Sequence, residues 1–160
     1  MVSLVKKNLK SIAHNVINLE IQALKSLKKS LNKNFEKAVN EIINCKSKII
    51  LCGVGKSGLI ASKIASTMSS VGSPAFSLSA NDCLHGDLGS ISKKDLLILI
   101  SNSGKSQELL PIIKFANRNK IKLIGIVSRK DSSLYRGADI RILLPEVKEA
   151  GLDIVPTSST

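Results

Sequence analysis

The stretch KIILCGVGKSGLIASKIASTMSSVGSPAFSLS, Lys48 to Ser79, decides the fold. It opens on the apolar run KIILC and turns through GVGKSG, which carries Gly53, Gly55 and Gly58. A helical stretch over 57–71 follows, and then a second short apolar run, AFSLS. Strand, helix, strand is the unit of a parallel sheet, because parallel neighbours need a crossover connection. The pattern repeats downstream as DLLILI, a helical stretch over 106–119, KLIGIV, a short 132–137 segment and DIRILL. Continuous Ile, Leu and Val runs without polar alternation suit strands covered on both faces. The expectation is an α/β domain with a parallel sheet of five strands.

Upstream the texture is different. Leu9, Ile12, Val16, Leu19, Ala23, Leu27 and Leu31 recur at three- and four-residue steps, which predicts one long helix over 4–31. Such a stripe packs either on its own domain or on another subunit. A second helix is expected from about Phe35 to Cys45, with Phe35, Ala38, Val39 and Ile42 on one face and Asn34 as its cap. The chain therefore divides into a helical segment, 1–45, and a sheet domain, 46–160.

A chain of 160 residues with 43% apolar side chains builds one globular domain with a sizeable core. Aromatic residues make up only 2%, which argues against the stacking surfaces that bind single-stranded nucleic acid. The net charge is +12, and the lysines before residue 49 are spread along the helices rather than gathered in a run. We read them as a solvated surface rather than a nucleic-acid interface, and one that would suit an anionic substrate. Three cysteines, Cys45, Cys52 and Cys83, without paired spacing point to a reducing compartment. Cys83 and His85 could begin a metal site, but no further Cys or His cluster completes the four ligands of a closed one. There is no apolar stretch of membrane length and no signal-peptide pattern at the start, so the expected location is the cytoplasm, with no membrane partner.

In parallel sheets ligands bind beyond the carboxyl ends of the strands. The loops to consider are 53–58, 80–89, 101–106, 128–133 and 145–160. GVGKSG invites three readings. A Walker A loop needs glycine at position 50, where the chain has Ile50 inside the strand, so that reading fails. A dinucleotide fingerprint matches Gly53, Gly55 and Gly58, but needs an acidic residue closing the second strand, where the chain has Phe76, Ser77 and Leu78. The third reading is a sugar-phosphate loop, and the later loops favour it. SNSGKSQE, 101–108, offers the hydroxyls of Ser101, Ser103 and Ser106 around Gly104, ahead of a helix whose first N–H groups and dipole favour an anion. PTSST, 156–160, adds four consecutive hydroxyl residues.

GVGKSG, HGDLG (85–89), ISNSGKSQE (100–108), KEA (148–150) and PTSST, in this order, resemble the sugar isomerase (SIS) domain. The pattern is most similar to the D-arabinose 5-phosphate isomerases that feed 3-deoxy-D-manno-octulosonate synthesis for lipopolysaccharide. The resemblance covers nearly the whole chain. It implies a three-layer αβα sandwich, a homotetramer with shared active sites, and interconversion of D-arabinose 5-phosphate and D-ribulose 5-phosphate without an organic cofactor. It places phosphate-binding hydroxyls at Ser101, Ser103, Ser106, Thr157, Ser158 and Ser159, and functional side chains at Lys56, Glu108 and Glu149. Gly55, Ser57 and His85 are further candidates to hold the substrate, and His85 also to take an inhibitory metal. These types suit the chemistry: a carboxylate can move the proton between C1 and C2, and a lysine can stabilise the enediolate oxygen. Which glutamate is the base stays open.

The chain departs from the family at Lys105, where glutamate is usual after SNSG, and at Gly151 and Leu152, where cysteine and proline usually follow KEA. The family continues past TSST into a further helix, a histidine-bearing segment and, in long members, paired CBS domains. The expectation is a domain lacking that last helix, inactive by itself if the missing segment is required. Alternatives are a non-catalytic sugar-phosphate-binding module and an isomerase for another sugar phosphate.

Overall fold

The computed structural model describes residues 9–150, which fall in two compact units, 31–144 and a smaller one that holds 9–30 and 145–150. In the smaller unit, α1 spans Leu9–Ser30. Its half-buried apolar side chains are Val16, Leu19, Ala23 and Leu27, the stepped stripe read from the sequence, while Leu9 and Ile12 are exposed. Residues 4–8 of the expected helix lie outside the described residues.

The larger unit begins with α2, Lys33–Asn44. Its cap is Asn32 rather than Asn34. Asn32 has extended backbone and its side-chain oxygen accepts from Asn34 N at 2.8 Å. The Asn34 amide instead donates to Arg141 O, at the start of the last strand, 3.1 Å away. Capping needs a non-helical residue ahead of the first turn, and Asn34 already lies in that turn.

Five strands follow: β1 Ile49–Gly53, β2 Ala75–Ser79, β3 Leu96–Ile100, β4 Lys122–Val127 and β5 Ile140–Leu143. They form one parallel sheet in the order β2-β1-β3-β4-β5. Every residue of β1 and β3 is buried, which is what their unbroken apolar sequences require. Successive side chains along a strand point to opposite faces, so these two strands feed two cores. On one face Ile50, Cys52, Leu97, Leu99 and Leu123 pack with Cys83, Leu109, Ile112, Ala116 and Leu134. On the other Ile49, Leu51, Ile98, Ile100 and Ile124 pack with Ala38, Ala61 and Ala65. The second core is covered by α2 and α3 (Lys56–Ser70), the first by α4 (Ala80–Leu84), α5 (Leu109–Asn119) and α6 (Ser133–Gly137). This is the expected αβα sandwich.

Two differences from the sequence reading bear on the site. The segment 80–89 is not a plain loop: it holds α4, capped by the Ser79 hydroxyl, and a 3-10 turn, Asp87–Ser90. Five residues are too few to show helical periodicity, but Ala80 and Cys83, three apart, are its buried pair. And α5 starts at Leu109, not at Ser106. Its N-cap position is Glu108, with no side-chain cap, and Leu109 N and Leu110 N close turns onto Ser106 O and Gln107 O.

The amino end of the sheet is pinned by Asp95, which is 3% exposed. It accepts from Lys48 Nζ at 2.8 Å, Ser47 Oγ at 2.6 Å and Ser92 N at 2.6 Å. Burial alone would push its carboxyl up, but these three donors outweigh it and hold it at about 2.

Candidate functional site

The carboxyl ends of the strands are aligned by register. Gly53 pairs with Ile100, and Ile100 with Ile126, so the loops leaving β1, β3 and β4 start in one row about 10 Å across. The chain runs outward to opposite edges from β1 and β3, which makes the gap between them the switch point where parallel sheets take ligands.

The glycines of GVGKSG have packing roles there. A Cβ on Gly53 would meet the Ser57 backbone at 2.7 Å, and one on Gly58 would meet Gly53 O at 2.9 Å. Strand and helix therefore approach backbone to backbone. Gly55 turns the chain at φ +58° into open space. The G-x-G-x-x-G pattern is thus met by close strand–helix packing plus one sharp turn, neither of which needs a dinucleotide. Gly55 holds the N-cap position of α3 without a side-chain cap; Lys56, the first residue of the helix, is exposed, and Ser57 is half-buried. Beside them, on the β2 side, lies a cavity of about 280 Å³ lined by Gly53, Gly55, Gly58, Leu59, Ser77, Leu78 and Ser79.

The serine loop gathers three hydroxyls at the carboxyl end of β3. Ser101 is 5% exposed and its backbone N–H continues the sheet onto Ile126 O at 3.0 Å. Its Oγ lies 3.2 Å from Ser106 Oγ and accepts from Gly104 N at 3.1 Å. Ser103 Oγ accepts from Lys105 N at 3.2 Å. A serine oxygen that accepts a backbone N–H still has its own proton to donate. Ser101 and Ser103 are thus oriented by the backbone and polarised as donors. Glu108 follows shortly after, half-buried. Lys105 turns to Asp131 (2.6 Å), which Arg129 also reaches at 3.4 Å; the Lys105 ammonium holds the Asp131 carboxyl below its usual range.

The remaining candidates lie on other segments of the chain. His85 is the exposed C-cap of α4, on the segment after β2. Glu149 belongs to the smaller unit. Thr157, Ser158 and Ser159 lie outside the described residues. Cys52 and Cys83 pack in the same core, and burial, with Cys83 adding to it, pushes the Cys52 thiol up to about 12. Both thiols stay protonated at neutral pH and serve packing. Among the described residues no group of three or more His, Cys, Asp and Glu side chains gathers as a metal site, and no helix is long and apolar enough to cross a membrane. Sequence reasoning gave no role to Asn102, Ser128, Asp131 or Ser132. The signal was the run SRKDSS, Ser128 to Ser133, directly after a buried strand.

Comparison with known proteins agrees with this geometry. The chain is 42% identical over 92% of its length to arabinose 5-phosphate isomerase KdsD of Francisella tularensis, covering 46% of that protein. It is 40% identical over 91% of its length to KdsD of Escherichia coli K12, covering 44% of it. The chain thus spans about half the length of the curated relatives it matches. Among solved structures, a protein of E. coli CFT073 in complex with arabinose 5-phosphate superposes with a TM-score of 0.89 at 32% identity, over 98% of this chain and 84% of that one. The family model for the SIS domain matches residues 41–160. With the parallel sheet, the glycine-packed strand–helix turn and the serine loop at its edge, the chain belongs to the SIS domain family.

Proposed function

We propose that the chain is the isomerase domain of an aldose–ketose isomerase that interconverts D-arabinose 5-phosphate and D-ribulose 5-phosphate. The observation that carries this reading is the Ser101–Ser106 hydroxyl pair, 3.2 Å apart at the carboxyl end of β3. The names of the relatives and the sugar phosphate bound by the structural neighbour support the choice of sugar.

In this reading the phosphate sits on the hydroxyls of Ser101, Ser103 and Ser106, joined by Thr157, Ser158 and Ser159, while Gly55 and Ser57 form the facing wall. A carboxylate, Glu108 or Glu149, removes the C2 proton of the open-chain aldose, leaving an enediolate. The Lys56 ammonium stabilises the charge that develops on oxygen. The carboxyl, whose proton exchanges with water, protonates C1 while the O2 hydroxyl proton passes to O1, which gives the ketose, so no redox partner is needed. His85 orients the sugar hydroxyls. We extend the reading to a cytoplasmic homotetramer serving lipopolysaccharide synthesis. The test is to assay ketose formation with wild type, Lys56→Ala and Glu108→Gln. Both variants should keep arabinose 5-phosphate binding; Lys56→Ala should lose turnover by tenfold or more, and Glu108→Gln does the same if Glu108 is the base and keeps turnover if Glu149 is. Wild-type chain that binds and isomerises a different sugar phosphate but not this one would refute the choice of substrate.

A further inference from the structure

The residues of the serine loop divide into two sets. Ser101, Ser103 and Ser106 present hydroxyls. Asn102, Gly104 and Lys105, which lie between them, are all tied to the loop after β4. Asn102 O accepts from Ser128 N at 3.0 Å, and Asn102 Oδ1 accepts a short hydrogen bond from Ser128 Oγ. Gly104 O accepts from Leu134 N at 3.1 Å. Gly104 also lies so close to that loop that a Cβ on it would collide with the Ser132 hydroxyl and stand 2.6 Å from Ser132 Cβ. Ser132 is 0% exposed. It cannot yield, because its Oγ donates to Arg129 O at 2.7 Å and accepts from Tyr135 N at 3.2 Å as the cap of α6. Lys105 is paired with Asp131. Each attachment uses a group other than the serine hydroxyls, so none of these is spent on the neighbouring loop.

From this geometry we infer that the 128–134 loop is the mould that sets the serine loop, with Ser128 and Ser132 as positioning residues for phosphate binding. The inference rests on the reading that Ser101–Ser106 takes a phosphate. A loop held in its bound shape before the ligand arrives loses little freedom on binding, so loosening the mould should cost affinity without touching the ligand. Ser128 is the useful handle. It is half-buried, and its hydroxyl bonds Asn102 rather than a core group, so Ser128→Ala leaves both hydrophobic cores intact.

Titration calorimetry of the full chain with inorganic phosphate and with arabinose 5-phosphate tests this. Ser128→Ala should weaken both dissociation constants roughly threefold to tenfold, the effect of one hydrogen bond. Ser128→Thr keeps the hydroxyl and should restore them, and both variants should melt with the wild type. Wild-type affinity in Ser128→Ala overturns the inference and leaves the functional reading standing. So does a loss that Ser128→Thr fails to rescue and that follows the melting temperature, since that marks Ser128 as merely structural. If wild type itself binds neither anion, the functional reading falls and the inference with it.

Discussion

Three glycine substitutions separate the two demands that the loops place on the backbone. Gly89 has no neighbour within 4 Å of a built Cβ and no positive φ. Gly55 also has open space but sits at φ +58°. Gly104 combines φ +63° with a Cβ position blocked by Ser132 and Val127. Alanine at Gly89 should therefore leave the melting temperature within about 1 °C of wild type. Alanine at Gly55 carries only the strained conformation, on the order of 2 kcal/mol. Alanine at Gly104 carries that strain plus overpacking against a buried, hydrogen-bonded serine, together about 4 kcal/mol. At roughly 3 °C per kcal/mol for a chain of this size, the shifts should be about 6 °C and 12 °C. Differential scanning calorimetry reads all three. Gly104→Ala should also weaken phosphate binding through Ser132, whereas any effect of Gly55→Ala on binding comes from the facing wall. If Gly104→Ala melts with Gly55→Ala, the contact with the 128–134 loop is not tight, and the mould argument loses its base.

Asp95 gives a pH test. Its carboxyl is held at about 2 in the folded chain against an ordinary value of 3.8, so its contribution, about 2 kcal/mol, is full above pH 4 and lost as pH falls toward 2. Asp95→Asn should destabilise the chain at neutral pH and flatten its acid unfolding between pH 4 and 2, followed by circular dichroism; an unchanged acid limb would rule out the pinning role. Lys120, the C-cap of α5 at φ 54°, is the only non-glycine residue with positive φ among the described residues. Lys120→Gly should raise the melting temperature by roughly 2 °C, and a fall would mean that the left-handed cap is not strained. Ser106→Ala should lower arabinose 5-phosphate affinity roughly tenfold, the worth of a hydrogen bond to a charged group. Equal affinity would move the phosphate away from this loop.

The sheet was legible because its physics is local and repetitive. KIILC, DLLILI and KLIGIV are apolar on both faces, and only a central parallel strand asks for that. The glycine turn was legible as a turn, but not as a packing device, since the contact between Gly53 and the Ser57 backbone exists only once the helix folds back on the strand. The hydroxyls of Ser101, Ser103 and Ser106 could be named from sequence, whereas the start of α5 could not. The Ser106–Glu108 segment has helix-compatible residues, yet its first hydrogen bonds close short turns instead. The role of Ser128 and Ser132 was hidden because it depends on β3 and β4 lying side by side, which no local pattern encodes. Asn34 misled for a simpler reason: Asn32 and Asn34 are both good caps, and Arg141, far along the chain, claims the side chain of the second.

The central claim is that this chain moves a proton between neighbouring carbons of a pentose phosphate. Incubating it with D-arabinose 5-phosphate in heavy water and following the sugar by proton NMR tests that step itself. The account predicts D-ribulose 5-phosphate carrying deuterium at C1, and deuterium at C2 of the aldose that re-forms, both abolished by Lys56→Ala. A C2 signal that persists unchanged, in a sample where the sugar phosphate is shown to be bound, would contradict it.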